Sequence, residues 1–203
     1  MTHRLRTLPI VFGLLFFLWI AFPACAPSTV TNKPGGLEPG DMATDFSLLD
    51  SNGQMVHLSS VPPNTYLVLI FYRGYWCSAC QNQLFGLKDD YPQFLKLHSI
   101  IYAVSTDLVE ECLSFNQQWR FPYTLLSDVK LNLIGAYGAI NQAGHNGHPI
   151  AHPTVIIIDP SKKIRYKYVG KNPQDRPADD EILAELQREQ NVAAGIWTPM
   201  VKR

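Results

Sequence analysis

Two of the four cysteines in this 203-residue chain stand three positions apart, in Trp76-Cys77-Ser78-Ala79-Cys80. Thiol-disulfide exchange needs a thiolate. A sulfur at the N-terminal end of a helix meets unpaired backbone N–H groups and the positive end of the helix dipole, both of which favour ionisation. A second cysteine three residues on faces the same side of the first turn and can attack a mixed disulfide formed by the first. The same spacing also serves half of a zinc site, which needs two further ligands, or a structural disulfide, which gains little from closing so small a loop. Placement favours redox chemistry, because the pair lies where an apolar run gives way to a segment of helical composition. Trp76 beside the pair is expected to shield the sulfurs and shape the rim.

The elements that position the pair follow from composition and period. Residues 66–72 (YLVLIFY) and 99–105 (SIIYAVS) are continuous apolar runs of strand length, as expected of strands buried on both faces of a sheet. Helical composition over 78–91 follows the first run. Leu108, Cys112, Phe115 and Trp119 recur at helical spacing, which predicts a helix within 106–120 with that stripe inward. Cys112 on this stripe reads as a core thiol. Short strands are expected at 45–49, 55–58 and 123–126, and a helical turn at 130–137. Residues 154–159 and 164–169 form a hairpin through Pro160-Ser161-Lys162-Lys163, and 177–187 closes the domain as an amphipathic helix. The order predicts an α/β fold, a mixed sheet with helices on both faces.

Seventeen Lys and Arg balance seventeen Asp and Glu, so nothing offers a phosphate backbone an electrostatic footprint, and nucleic acid is excluded as an expected partner. Arg4 and Arg6 precede an apolar run over 8–24, and the next charge is Lys33. This is the layout of an export signal or a membrane anchor over residues 1–25. Pro9 and Pro23 shorten the run, which favours a cleaved signal over a lasting span. Cys25 after Ala24 resembles a lipoprotein site, although Phe22 and Pro23 depart from the usual box, and would attach the chain to a membrane through a lipidated N-terminus, while Ala24-Cys25-Ala26 also suits ordinary signal peptidase. On either reading the rest of the chain works outside the cytoplasm, in the periplasm or cell envelope. Residues 26–40, rich in Pro, Gly, Ser and Thr, read as a tether, followed by one domain over 41–190 and a tail over 191–203.

The run Phe71-Tyr72-Arg73-Gly74-Tyr75-Trp76-Cys77-Ser78-Ala79-Cys80 resembles the active-site segment of the peroxiredoxin-like branch of the AhpC/TSA redoxins, which have the thioredoxin fold. The likeness extends in order through Pro39-Gly40-Asp41, Leu125-Leu126-Ser127-Asp128, Ala136-Tyr137-Gly138, Pro153-Thr154 and Tyr168-Val169-Gly170. It implies a thiol-dependent oxidoreductase without a cofactor, acting on a peroxide or a protein disulfide and re-reduced by a thiol or thioredoxin-like donor. In the family's P-x-x-x-T-x-x-C pattern the last cysteine attacks peroxide. That cysteine corresponds to Cys80, while Cys77 stands in place of the threonine and Arg73 in place of the proline, so the chain departs from the peroxidase pattern at both of those positions. Arg73 is expected to steady a thiolate or peroxide oxygen by its charge. A thioredoxin-like reading instead makes Cys77 the nucleophile and Cys80 the resolving thiol, and the sequence leaves both open. The resemblance also implies a cis Pro153 beside the pair, with the His152 backbone open to a substrate strand.

His145, His148 and His152 cluster before Pro153, in a Gly-rich stretch that reads as a solvated loop. A second resemblance, to Sco-like copper chaperones of the same fold, gives an alternative use in which Cys77, Cys80 and one of His148 or His152 hold copper. Asp175, Arg176, Asp179 and Asp180 read as a solvated helix start.

Overall fold

The computed structural model describes residues 35–196. The expected signal over 1–25, the lipidation at Cys25, most of the tether and the end of the tail lie outside the described residues. Residues 35–40, assigned to the tether by composition, are packed on the domain. Leu37 is 7% exposed, its N–H donates to the Ala136 carbonyl at 2.9 Å, and the Gly40 N–H donates to the Ile164 carbonyl at 2.8 Å. Gly36 lies so close to the backbone of Tyr137 that a Cβ would overlap it.

Among the described residues nine strands and four α-helices follow: β1 (Ser47–Asp50), β2 (Met55–His57), β3 (Tyr66–Phe71), α1 (Ser78–Lys96), β4 (Ser99–Ser105), α2 (Val109–Trp119), β5 (Thr124–Ser127), α3 (Asn132–Ala136), β6 (Ile140–His145), β7 (His148–Ala151), β8 (Thr154–Ile158), β9 (Ile164–Val169) and α4 (Asp179–Ala193). Seven strands form one sheet in the order β2-β1-β5-β4-β3-β8-β9, and β6 and β7 form a separate hairpin. β3, β4 and β5 are parallel, while β8 runs antiparallel to β3 and β9 antiparallel to β8.

Every residue of β3 is buried, because both faces of the central strand are covered. Its side chains alternate between two cores. Val68, Ile70 and Tyr72 face Leu84, Leu87, Phe94, Phe115, Ile182 and Leu186 from α1, α2 and α4. Leu67, Leu69 and Phe71 pack with Leu133, Ile134 and Tyr137 around α3. The alternation places α1 and α4 side by side on one face and α3 on the other, so β3 delivers the chain to the start of α1 at the sheet's C-terminal edge.

Three expectations need adjustment. α1 runs past Pro92 to Lys96, where burial of Phe94 outweighs the backbone hydrogen bond that proline forfeits. The α2 stripe is half right: Cys112 and Phe115 are buried, but Leu108 is 51% and Trp119 36% exposed. Leu108 is the N-cap residue and points away before the helix begins, and the Trp119 ring leans on Phe85 at 4.7 Å from the last turn. The histidine stretch is a hairpin rather than a loop, closed by a bridge between His145 and His148.

Candidate active site

Cys77 is the N-cap residue of α1, with extended backbone at φ −84° and ψ 106°, and its Sγ accepts the N–H of Cys80 at 3.3 Å. The two cysteines are joined as a disulfide, with Cα atoms 5.2 Å apart. Cys77 is 5% exposed and Cys80 0%. The helix start therefore holds both sulfurs, and the backbone N–H that would meet a Cys77 thiolate belongs to its own partner.

The turn before Cys77 is fixed from below by Asp107. Its buried carboxylate accepts the Tyr75 N–H at 2.9 Å and the Ser105 hydroxyl at 2.8 Å. Burial pushes this carboxyl up from its ordinary range, opposed by those hydrogen bonds. Gly74 sits against the same group, since a Cβ there would lie 2.9 Å from Asp107 Oδ1 and 2.5 Å from Trp76 Nε1. Asp107→Ala leaves both donors without their acceptor and is expected to cost about 2 kcal/mol. Asp107→Asn keeps an acceptor oxygen and removes the buried charge, so it is expected to cost under about 1 kcal/mol. Urea denaturation of the two variants checks this, and equal losses would refute it.

The cation at the pair is Arg176, which sequence reading assigned to a solvated helix start. Its Nη2 lies 3.6 Å from Cys80 Sγ, its Nη1 donates to Gln83 Oε1 at 2.9 Å, and Nη2 also donates to the Pro173 carbonyl. The loop that delivers it is pinned by Asp175, which accepts hydrogen bonds from the Tyr168 hydroxyl and from the Lys171 N–H at 2.8 Å. Those bonds hold the Asp175 carboxyl below its usual range. Gly170 permits the tight path, because a Cβ there would lie 1.9 Å from the Asp175 carbonyl oxygen.

Arg73 stands over the Trp76 ring at 5.1 Å, and burial of Arg176, reinforced by the positive charge of Arg73, lowers the pKa of Arg176. The Nε atoms of both arginines and Nε2 of Gln83 are buried without a hydrogen-bond partner among the described residues. Two guanidiniums near one another, neither with a carboxylate partner among the described residues, leave the negative charge to be supplied by a thiolate or a substrate oxygen.

Trp76 is half-buried and stacks on His145, with ring centroids 3.6 Å apart and planes 17° apart. His148 is exposed at the hairpin tip. Among the described residues no three His, Cys, Asp or Glu side chains converge as a metal site requires, so the copper alternative gains no support. The expectation at Pro153 is also corrected. Among the described residues no peptide bond is cis. The His152 N–H is already spent on the Ala139 carbonyl at 2.7 Å, and the His152 carbonyl accepts the Thr154 hydroxyl at 3.0 Å. Cys112 is fully buried, and burial next to Asp107 pushes its thiol up to about 12, as suits a core thiol.

The AhpC/TSA family profile matches residues 39–167, more than half of the chain and all of the active-site segment. The chain belongs to the AhpC/TSA family. Among its relatives, putative peroxiredoxin ycf42 of Pyropia yezoensis is 30% identical over 182 residues, covering 82% of this chain and 88% of the relative. Peroxiredoxin Bcp of Escherichia coli K12 is 28% identical over 134 residues, covering 65% and 85%. The crystal structure of peroxidoxin BcpB from Mycobacterium tuberculosis superposes with a TM-score of 0.67 at 26% identity, covering 75% of this chain and 97% of that one. The expected thioredoxin-like fold is thus the observed one, and this AhpC/TSA member is a thiol-dependent oxidoreductase.

Proposed function

We propose that the protein is an extracytoplasmic thiol peroxidase that cycles Cys77 and Cys80 between dithiol and disulfide. The Cys80 thiolate attacks one peroxide oxygen, the O–O bond breaks, and the departing alkoxide or hydroxide takes a proton, leaving Cys80 as a sulfenic acid. The Cys77 thiol then attacks Cys80 Sγ, forming the disulfide and releasing water. A thiol or thioredoxin-like donor attacks Cys77, the slightly more exposed residue of the two, and Cys80 leaves as a thiolate beside Arg176. Two electrons enter from the donor and two leave to the peroxide in each cycle. No resident metal or cofactor takes part.

The observation that carries this reading is the asymmetry of the pair: the Arg176 guanidinium touches Cys80, while Cys77 caps the helix with its sulfur already bonded across the first turn. The resolving sulfur therefore needs no unfolding of α1 to reach its target. The relatives' names as peroxiredoxins agree with a peroxide substrate.

The test is stoichiometry. Adding hydrogen peroxide to the reduced full-length chain is expected to consume one peroxide for every two thiols lost and to yield an intramolecular Cys77–Cys80 disulfide by peptide mapping. Thiol loss without peroxide loss would sink the peroxidase reading. Cell fractionation tests the location, which fails if the chain is recovered from the cytoplasm alone.

A further inference from the structure

We propose that His145 sets which reductants reach the Cys77–Cys80 disulfide, by clamping Trp76 to the β6–β7 hairpin at the rim of the site. This rests on the cycle proposed above, in which the donor attacks Cys77.

The hairpin is built to present that ring. Its tip turns through Asn146 at φ +50° and Gly147 at φ +78°, conformations that asparagine and glycine accept. Gly144, at φ +61°, comes so near the opposite strand that a Cβ would lie 2.0 Å from the His148 carbonyl oxygen. Asn141 Oδ1 accepts the N–H groups of Ala143 at 3.1 Å and Gly144 at 3.3 Å, and the pairing register shifts between Asn141 and His145. These devices spend the end of β6 on placing one imidazole, and its partner is the residue next to Cys77. Parallel rings 3.6 Å apart leave no room for a third group between them.

Cys77 is 5% exposed, and Trp76, its neighbour in the chain, packs against the core cluster that includes it, so on this proposal an attacking sulfur enters past Trp76. A small dithiol needs only room for its own chain. A protein dithiol brings its surroundings with it, and the indole held by the hairpin stands in their way until the stack opens. In the exchange itself the donor thiolate forms a bond to Cys77 Sγ, the Cys77–Cys80 bond breaks, and Cys80 leaves as a thiolate. The donor's second thiol then displaces Cys77 and becomes oxidised. His145 touches none of the reacting atoms and acts through Trp76, as a specificity-determining residue.

The experiment uses the full-length chain, converted to the disulfide form with diamide so that it does not depend on peroxide turnover. Reduction is timed with dithiothreitol and with a bacterial thioredoxin, and the ratio of the two rates is the readout. In His145→Ala the thioredoxin-to-dithiothreitol ratio is expected to rise about fivefold, the factor that one aromatic stack represents. His145→Phe keeps a ring on Trp76 and is expected to hold the wild-type ratio. An unchanged ratio in His145→Ala, or an equal rise in His145→Phe, overturns the proposal. Should His145→Ala fail to fold, His145→Asn, polar and without a ring, stands in under the same criterion. If peroxide fails to produce the disulfide in the separate stoichiometry experiment, the peroxidase reading fails while this ratio still reports on the clamp.

Discussion

Cys80→Ser is expected to lower peroxide consumption by at least about a thousandfold, because it removes the nucleophile itself. Cys77→Ser is expected to behave differently, keeping the first turnover and losing the following ones. In that variant Cys80 still has Arg176 at 3.6 Å and still sits in the first turn of α1, so the attack on peroxide proceeds. What is missing is the thiol that converts the sulfenic acid to a disulfide. A burst of one peroxide per chain followed by arrest, with dimedone trapped on Cys80, is the expected signature. The double variant is expected to be no slower than Cys80→Ser alone, since residues acting in one sequence of steps do not contribute additively. The opposite pattern, with the burst retained in Cys80→Ser and lost in Cys77→Ser, would assign attack to Cys77 and revive the thioredoxin-like order of events.

The sequence made the sulfur pair legible and gave no sign that Arg176 lies beside it. Continuous apolar runs marked β3 and β4 because both faces of a central strand are buried, and the pair was readable because N-cap placement is local chemistry. Arg176 is 96 positions from Cys80, and beside Asp175, Asp179 and Asp180 it carries the composition of a solvated helix start. Only the packing of α4 against α1 turns that loop inward. The β6–β7 hairpin was equally hidden. Gly, Asn and His over 141–148 lack the alternation of a strand, and their pairing depends on positive φ values that composition shows only as a capacity to turn. The cis Pro153 expectation came from the family resemblance alone and is not met, since among the described residues no peptide bond is cis.

Arg176→Met is expected to slow the first reaction with peroxide about tenfold at pH 7 and to move the rising limb of its pH–rate profile upward by about one unit. A cation within hydrogen-bonding reach of a sulfur favours the thiolate over the thiol, so its removal leaves less of the reactive form at neutral pH. The sign follows directly: at a pH well above the limb both forms of the protein are fully ionised, and the variant is expected to recover most of the lost rate there. Arg176→Lys keeps the charge but cannot reach Gln83, Pro173 and Cys80 together, so it is expected to restore the position of the limb more than the rate at its plateau. A merely structural arginine would lower the plateau and leave the limb where it was. The burial of Arg176 beside Arg73 argues against that outcome, because two partly desolvated cations with no carboxylate partner among the described residues gain nothing from their mutual repulsion unless an anion joins them. In the proposed cycle that anion is the Cys80 thiolate of the reduced protein, and stopped-flow oxidation by hydrogen peroxide between pH 5 and 9 tests for its formation.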